Sequence, residues 1–240
     1  MSKSTEPAKK ISFSDVSCIL GGNKIISGMN LSIETNGITS LIGLNGAGKT
    51  TTLRLMSGML TPSSGKVEIL GMNIAEKPLI LNRIGVLPDE SILDPELKVR
   101  EQLKFAASMR VSRSRVNEAI DRVVEIFELQ GVWNYLNSEL SRGFRQRLSL
   151  GVSMIHDPEI LILDEPSTGL DPGQIDSLHK MLNKIADKKC IVLSTHYLSE
   201  VVKLASRALV ISGGVITYDG GAEGEDELKQ AIMKDVFDGQ

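Results

Sequence analysis

The stretch GLNGAGKTT, Gly43 to Thr51, fits the pattern G-x-x-x-x-G-K-[ST] between the short apolar run GITSLI and a helix-like segment. A polyphosphate carries several negative charges, and successive backbone N–H groups facing one point can bind its oxygens. Glycine lets the chain curl that tightly, because a Cβ would clash with the turn or the ligand. Lys49 adds a point charge for the outer phosphates, and the Thr50 hydroxyl suits Mg²⁺. Gly43, Asn45, Gly46, Ala47, Gly48, Lys49, Thr50 and Thr51 are the expected nucleotide contacts. The competing reading is a glycine-rich turn with no ligand, and the strand–loop–helix setting weighs against it.

A cation on those phosphates needs an acidic partner, and EILILDEPSTGLDP supplies one. Asp164 ends an apolar run, where its carboxylate can face the Mg²⁺ shell through water. Glu165 follows and can polarise a water that attacks the terminal phosphate. Two carboxylates at a strand end are commonly just solvated. The phosphate motif upstream favours chemistry.

Such residues must be held at strand ends. The runs GITSLIGL, EILILDE and CIVLST are built on apolar stretches and alternate with helix-patterned segments, which implies a parallel sheet covered on both faces. Helical spacing is present in VREQLKFAASMR, SRVNEAIDRVVEIFELQ, RQRLSLGVSMI, GQIDSLHKMLNKIAD and HYLSEVVKLA. In the second of these, Val116, Ile120, Val123, Val124 and Phe127 share one face, read as a core stripe. KISFSDVSCIL, GMNLSIE and GKVEILGMNI lean to strand, and RALVISGGVITYDG reads as a strand pair. The tail from Ala222 is expected to form a short amphipathic helix with Leu228, Ile232 and Val236.

The net charge of -3 argues against nucleic acid as a partner, since phosphate-backbone binders carry a basic stripe. Cys18 and Cys190 are isolated, which points to a reducing compartment and two buried apolar thiols. The polar start MSKSTEPAKK lacks the apolar centre of a signal peptide. No window reaches the roughly 20 apolar residues that cross a bilayer. Work at a membrane would need another chain, so the expected location is cytoplasmic and peripheral.

Between the helical middle and the Asp164 run lies ELSRGFRQRL, Glu139 to Leu148. With the two motifs flanking it, the chain resembles the nucleotide-binding subunit of an ATP-binding-cassette (ABC) transporter along nearly its whole length. LSRGFRQRL stands where that family has its signature LSGGQ. The resemblance implies an α/β fold: a P-loop NTPase core with a mostly parallel sheet, an N-terminal antiparallel β subdomain and an inserted helical subdomain. Residues 1–240 form one domain on this reading, with approximately 92–155 as the helical part. It implies ATP and Mg²⁺ as cofactors, and a head-to-tail pair of subunits, identical or related, sandwiching ATP. Ser141 and Gly143 would then contact the γ-phosphate in the partner's cradle, and Asp171 in STGLDP would sit at the dimer interface. His196 in LSTHYLSEV resembles the histidine that contacts the γ-phosphate and orients the attacking water. Glu165 and His196 are thus the catalytic candidates. The arginines are open between two readings, tuning the field of that site or capping and solvating a helix; His156 and His179 match nothing and read as surface or packing residues.

Two positions depart from the family pattern. An aromatic that stacks on adenine is replaced by Leu20 or a neighbouring glycine, which implies weaker ATP affinity or relaxed base choice. Asp89, in GVLPDES, stands where a glutamine is frequent, and it joins Thr50 and Asp164 as a metal candidate. The leading expectation is an ATPase driving a separate transmembrane permease, with motifs closer to exporter-type, ABC-2-like subunits than to importers. The alternative is an ABC ATPase that remodels a membrane envelope complex without moving a solute. A binding module without turnover is disfavoured by intact Lys49, Asp164, Glu165 and His196.

Overall fold

The computed structural model describes residues 10–90, 93–222, 226 and 228–230. Strands β1 (Ile11–Leu20) and β2 (Asn23–Ile33) pair antiparallel across the Gly21–Gly22 turn. Both glycines have positive φ (57° and 83°), the conformation a two-residue hairpin needs. GKVEILGMNI, read as one strand, is two: β4 (Ser64–Ile69) and β5 (Met72–Asn73). Leu70 and Gly71 turn the chain between them at φ 49° and 73°. These strands form a four-stranded antiparallel sheet in the order β2-β1-β4-β5.

The second sheet has six strands in the order β10-β9-β3-β8-β7-β6. β3 (Gly37–Ile42), β6 (Ile84–Leu87), β7 (Ile160–Leu163), β8 (Cys190–Thr195) and β9 (Arg207–Ser212) run parallel. β10 (Val215–Gly221) closes one edge antiparallel to β9. β6 has no counterpart in the sequence reading, which treats its end as loop.

The apolar stretches of β7 and β8 are explained by two cores. Leu161, Leu163, Ile191 and Leu193 face a core shared with the helical layer. Their alternates Ile160, Ile162, Cys190 and Val192 face a second core, shared with α1 (Lys49–Met56) and the antiparallel sheet. Successive side chains point to opposite faces, so a strand buried on both sides has no polar position to spare. Cys18 and Cys190 are buried in the second core, and burial pushes the Cys190 thiol up to about 11.

Helices α2 (Val99–Arg110), α3 (Val116–Ile126) and α4 (Arg142–Met154) pack together beside the parallel sheet. On the expected stripe, Ile120, Val123 and Phe127 are buried, with Val116 and Val124 partly so. Buried Asn137 staples this lobe through Asp94 O (2.7 Å) and Gln102 Oε1 (3.1 Å). Helices α5 (Pro172–Ala186) and α6 (Leu198–Leu204) complete the cover. Leu228 of the tail is buried with Ile42, Val201 and Val210, whereas Ile232 and Val236 lie outside the described residues, as do residue 92 and the first nine.

Candidate functional site

The candidate residues gather at the carboxyl ends of β3, β6, β7 and β8, where open α/β sheets place their ligands. Gly43 to Gly48 curl from β3 into α1. Gly43 passes so close to Ile211 that a Cβ there would overlap its carbonyl. Gly46 and Gly48 have φ 82° and 110°, values that L side chains rarely adopt. The loop is pinned from behind by Gly214 N to Ala47 O (3.1 Å) and Ser27 N to Gly214 O (3.1 Å). Thr50 and Thr51 open α1, whose first-turn N–H groups have no partner within the helix.

Lys49 is buried and donates to Gly43 O (2.9 Å) and Leu44 O (3.1 Å). Burial lowers its pKa, opposed by the negative charges of Glu165 and Asp164. Its charge therefore sits inside the loop, within the field of both carboxylates.

Asp164 is buried at the end of β7, its N–H bonded to Leu87 O (2.9 Å). Ser194 Oγ donates to Asp164 Oδ1 (2.6 Å) and accepts from Glu165 N (2.9 Å). The sequence reading missed Ser194. Its place follows from the Leu163–Leu193 pairing, which sets the next residues of β7 and β8 side by side. Glu165 adopts φ 46°, a left-handed conformation that costs energy for a residue with a side chain. Its Oε2 accepts from Thr168 Oγ1 (2.8 Å) and lies 3.3 Å from His196 Nδ1. Thr168 was also missed. The His196 ring packs on Tyr197 with centroids 4.0 Å apart.

Thr50, Asp89 and Asp164 line one cleft of about 300 Å³, together with Leu53, Pro88 and Glu90. Desolvation, then the charges of Asp164, Glu165 and Glu90, raise the Asp89 pKa, and Arg142 opposes them. A cation would relieve this crowding. Among the described residues no three His, Cys, Asp or Glu side chains gather at metal-ligand spacing. The Asp164 carboxylate and Thr50 hydroxyl, with Asp89 in the same cleft, fit a hard cation that keeps phosphate and water ligands.

Ser141 caps α4, accepting from Phe144 N (3.3 Å). Gly143 packs so closely on Gln174 that an added Cβ would lie 2.9 Å from its Cδ. The arginines bind this chain's own groups. Arg142 donates to Thr168 O (2.8 Å) and covers Gly169; Arg145 donates to Leu140 O. Arg147 reaches Glu128 (3.0 Å) and Ser177 (2.9 Å). Gln146 donates to Pro166 O (2.6 Å), so the stretch is tied to the turn that follows Glu165. Asp171 caps α5 and accepts from Gln174 N (2.9 Å).

Not every candidate joins the cluster. Leu20 ends β1 at the hairpin turn, 38% exposed, and lines neither cleft beside the cradle. His156 Nε2 lies 3.0 Å from Ile84 O, and burial lowers its pKa. His179 is buried against Glu200. Both pack on the chain's own groups, His179 buried and His156 half-buried.

The sequence profile of the ABC transporter family matches residues 26–168. Nod factor export ATP-binding protein I of Rhizobium etli is 35% identical over 88% of this chain and 67% of its own. The bacitracin transport ATP-binding protein BcrA of Bacillus licheniformis is 35% identical over 85% of this chain and 67% of its own. Daunorubicin resistance ATP-binding protein DrrA3 of Streptomyces coeruleorubidus is 34% identical over 91% of this chain and 69% of its own. The chain thus spans about two thirds of the length of these relatives. Among solved structures, cbiO1 from Clostridium perfringens, part of the ABC transporter complex cbiONQ, superposes with a TM-score of 0.82. That match covers 95% of this chain and 94% of the other at 22% identity, a likeness of fold. An ATP binding subunit of an ABC transporter gives 0.80 at 24% identity, covering 95% and 96%. Profile, relatives and fold agree: the chain belongs to the ABC transporter family.

Proposed function

We propose that this chain binds and hydrolyses ATP to drive a separate transmembrane permease. The observation that carries the reading is the Glu165 carboxylate, held by Thr168 and His196 beside a loop shaped for phosphates. The amides of Asn45 to Gly48 receive the phosphates, and Lys49 turns from its two carbonyls to the outer phosphate oxygens. Glu165 takes a proton from the attacking water as the water oxygen bonds to the γ-phosphorus, and the bond from that phosphorus to the β,γ-bridging oxygen breaks to release ADP and phosphate. His196 orients that water and steadies the γ-phosphate. Thr50 and Asp164, with Asp89 at the rim of the cleft, would hold Mg²⁺, which neutralises phosphate charge when bound.

A second ABC ATPase subunit, identical or related, completes the site. Ser141 and Gly143 open the 13-residue helix α4, whose N-terminus suits a phosphate held by the partner, and Asp171 lies near it at the start of α5.

The permease contact belongs to the groove between α2 and the core. Met59, Phe105 and Met109 line it while 57%, 60% and 71% exposed, an apolar patch that suits a protein partner. Pro88, beside Asp89, lines the same groove, so a movement of the partner reaches the cleft directly. No helix among the described residues is long and apolar enough to cross a membrane. The chain is assigned to the cytoplasmic face, bound through its permease. Relatives named for export and drug resistance favour export as the direction.

The deciding experiment is Glu165→Gln in the complex purified with its permease. Hydrolysis should fall by about a hundredfold or more, while ATP binding persists and the closed dimer accumulates. A wild-type rate in that variant overturns the assignment of Glu165 as the base.

A further inference from the structure

Glu200, on α6, takes no part in the chemistry above, yet its carboxylate is 4% exposed and fully engaged. Its Oε2 accepts from Ser167 Oγ (2.9 Å) and Thr195 Oγ1 (2.5 Å), and its Oε1 lies 3.1 Å from His179 Nε2. These partners come from separate elements: the turn after β7, the end of β8, and α5. Burial alone would raise the Glu200 pKa. The bonds from His179, Thr195 and Ser167 outweigh it and hold the carboxyl below its ordinary value, so it stays ionised.

What hangs on each donor is the telling part. Thr195 precedes His196, and its Oγ1 also accepts from Tyr197 N (3.1 Å). The hydroxyl thus fixes both flanks of His196. Ser167 lies within the turn closed by Thr168 N to Glu165 O (3.1 Å), whose Thr168 hydroxyl holds the Glu165 carboxylate. One buried anion therefore anchors the turn that carries Glu165 and the turn that carries His196. One carboxylate oxygen accepts from both hydroxyls and the other faces His179; a carboxamide carries no charge to hold them and turns an NH₂ toward one side or the other.

We propose that Glu200 is a positioning residue for ATP hydrolysis, tying the Glu165 and His196 turns to α5 and so setting the 3.3 Å spacing between those two side chains. The proposal rests on the ATPase reading above. Glu200 touches neither cradle nor phosphate, so it acts on turnover and not on nucleotide affinity. A carboxylate that merely filled the core would change the amount of folded protein and leave turnover per bound ATP alone.

The test uses the complex with its permease and the variants Glu200→Gln, Ser167→Ala and Thr195→Val. Equilibrium binding gives ATP affinity and the number of competent sites, and turnover is expressed per bound ATP. Glu200→Gln should lose about tenfold or more in turnover, since small misplacements of catalytic groups cost that much. The two hydroxyl variants should each lose a few-fold, with ATP affinity in all three within about twofold of wild type. Wild-type turnover per bound ATP in the variants overturns the proposal, as does a loss of affinity in step with the rate. Where Glu200→Gln does not fold, the milder pair decides. If the wild-type complex hydrolyses no faster than its Glu165→Gln variant, the ATPase reading fails instead, so the two failures are distinct.

Discussion

At residue scale, Gly48 shows how tightly backbone geometry and ligand chemistry are joined. Its φ is 110°, and a Cβ would stand 2.9 Å from Ile26 Cδ1 and 3.4 Å from Ile25 O. Gly48→Ala therefore meets strain and a wall together. It should cost about 1–3 kcal/mol, read as a lower urea midpoint, and abolish ATP binding in a titration. Unchanged binding would mean that the amides here do not form the phosphate seat. The cradle, Asp164, Glu165 and His196 were legible in the sequence because each lies in a compact motif with its chemistry visible in the residue types. Ser194 and Thr168 were not. A serine in CIVLST gains meaning only from the parallel register that sets it beside Asp164, and Thr168 only from the turn that folds it back onto Glu165. Glu200 and His179 escaped for the same reason, since α5 and α6 must meet before their pairing exists.

At the scale of elements, α4 joins a helix terminus to a proposed role in a neighbouring subunit. Ser141 caps the helix, and aspartate caps as well as serine does, so Ser141→Asp separates the two roles. Stability should stay within about 0.5 kcal/mol of wild type by urea unfolding. ATP binding by the isolated subunit should persist, while hydrolysis with the permease falls because a negative charge now faces the partner's phosphate. Undiminished hydrolysis would remove Ser141 from the shared site. The apolar runs announced β3, β7 and β8, since short β-branched stretches between helix-patterned segments suit strands buried on both faces. β6 was hidden: four residues, IGVL, ahead of a proline are too few for a periodicity to register. It forms because Gly85 lets the backbone close on Ser153 and Pro158, a contact the sequence does not display.

Across the whole molecule, the nucleotide site draws on both cores. The loop before α1 grows from β3, and its rear is pinned by Gly214 and β2, while the carboxylates follow β7, whose alternate residues face the two cores. A ligand that binds only this assembled arrangement stabilises it by mass action. At a hundredfold excess over its dissociation constant the gain is about 2.7 kcal/mol. For a chain of 240 residues that raises the melting temperature by roughly 5–10 °C. Mg²⁺ with ATP should produce this rise in thermal unfolding of the wild-type subunit. Lys49→Ala should show none at the same concentration, because the outer phosphates lose their cation. Glu165→Gln should keep the rise in full, since it alters turnover and not the seat. A wild-type subunit that melts at one temperature with and without saturating nucleotide would contradict the phosphate seat itself. Loss of the shift in Glu165→Gln alone would instead place that carboxylate in binding and not in catalysis.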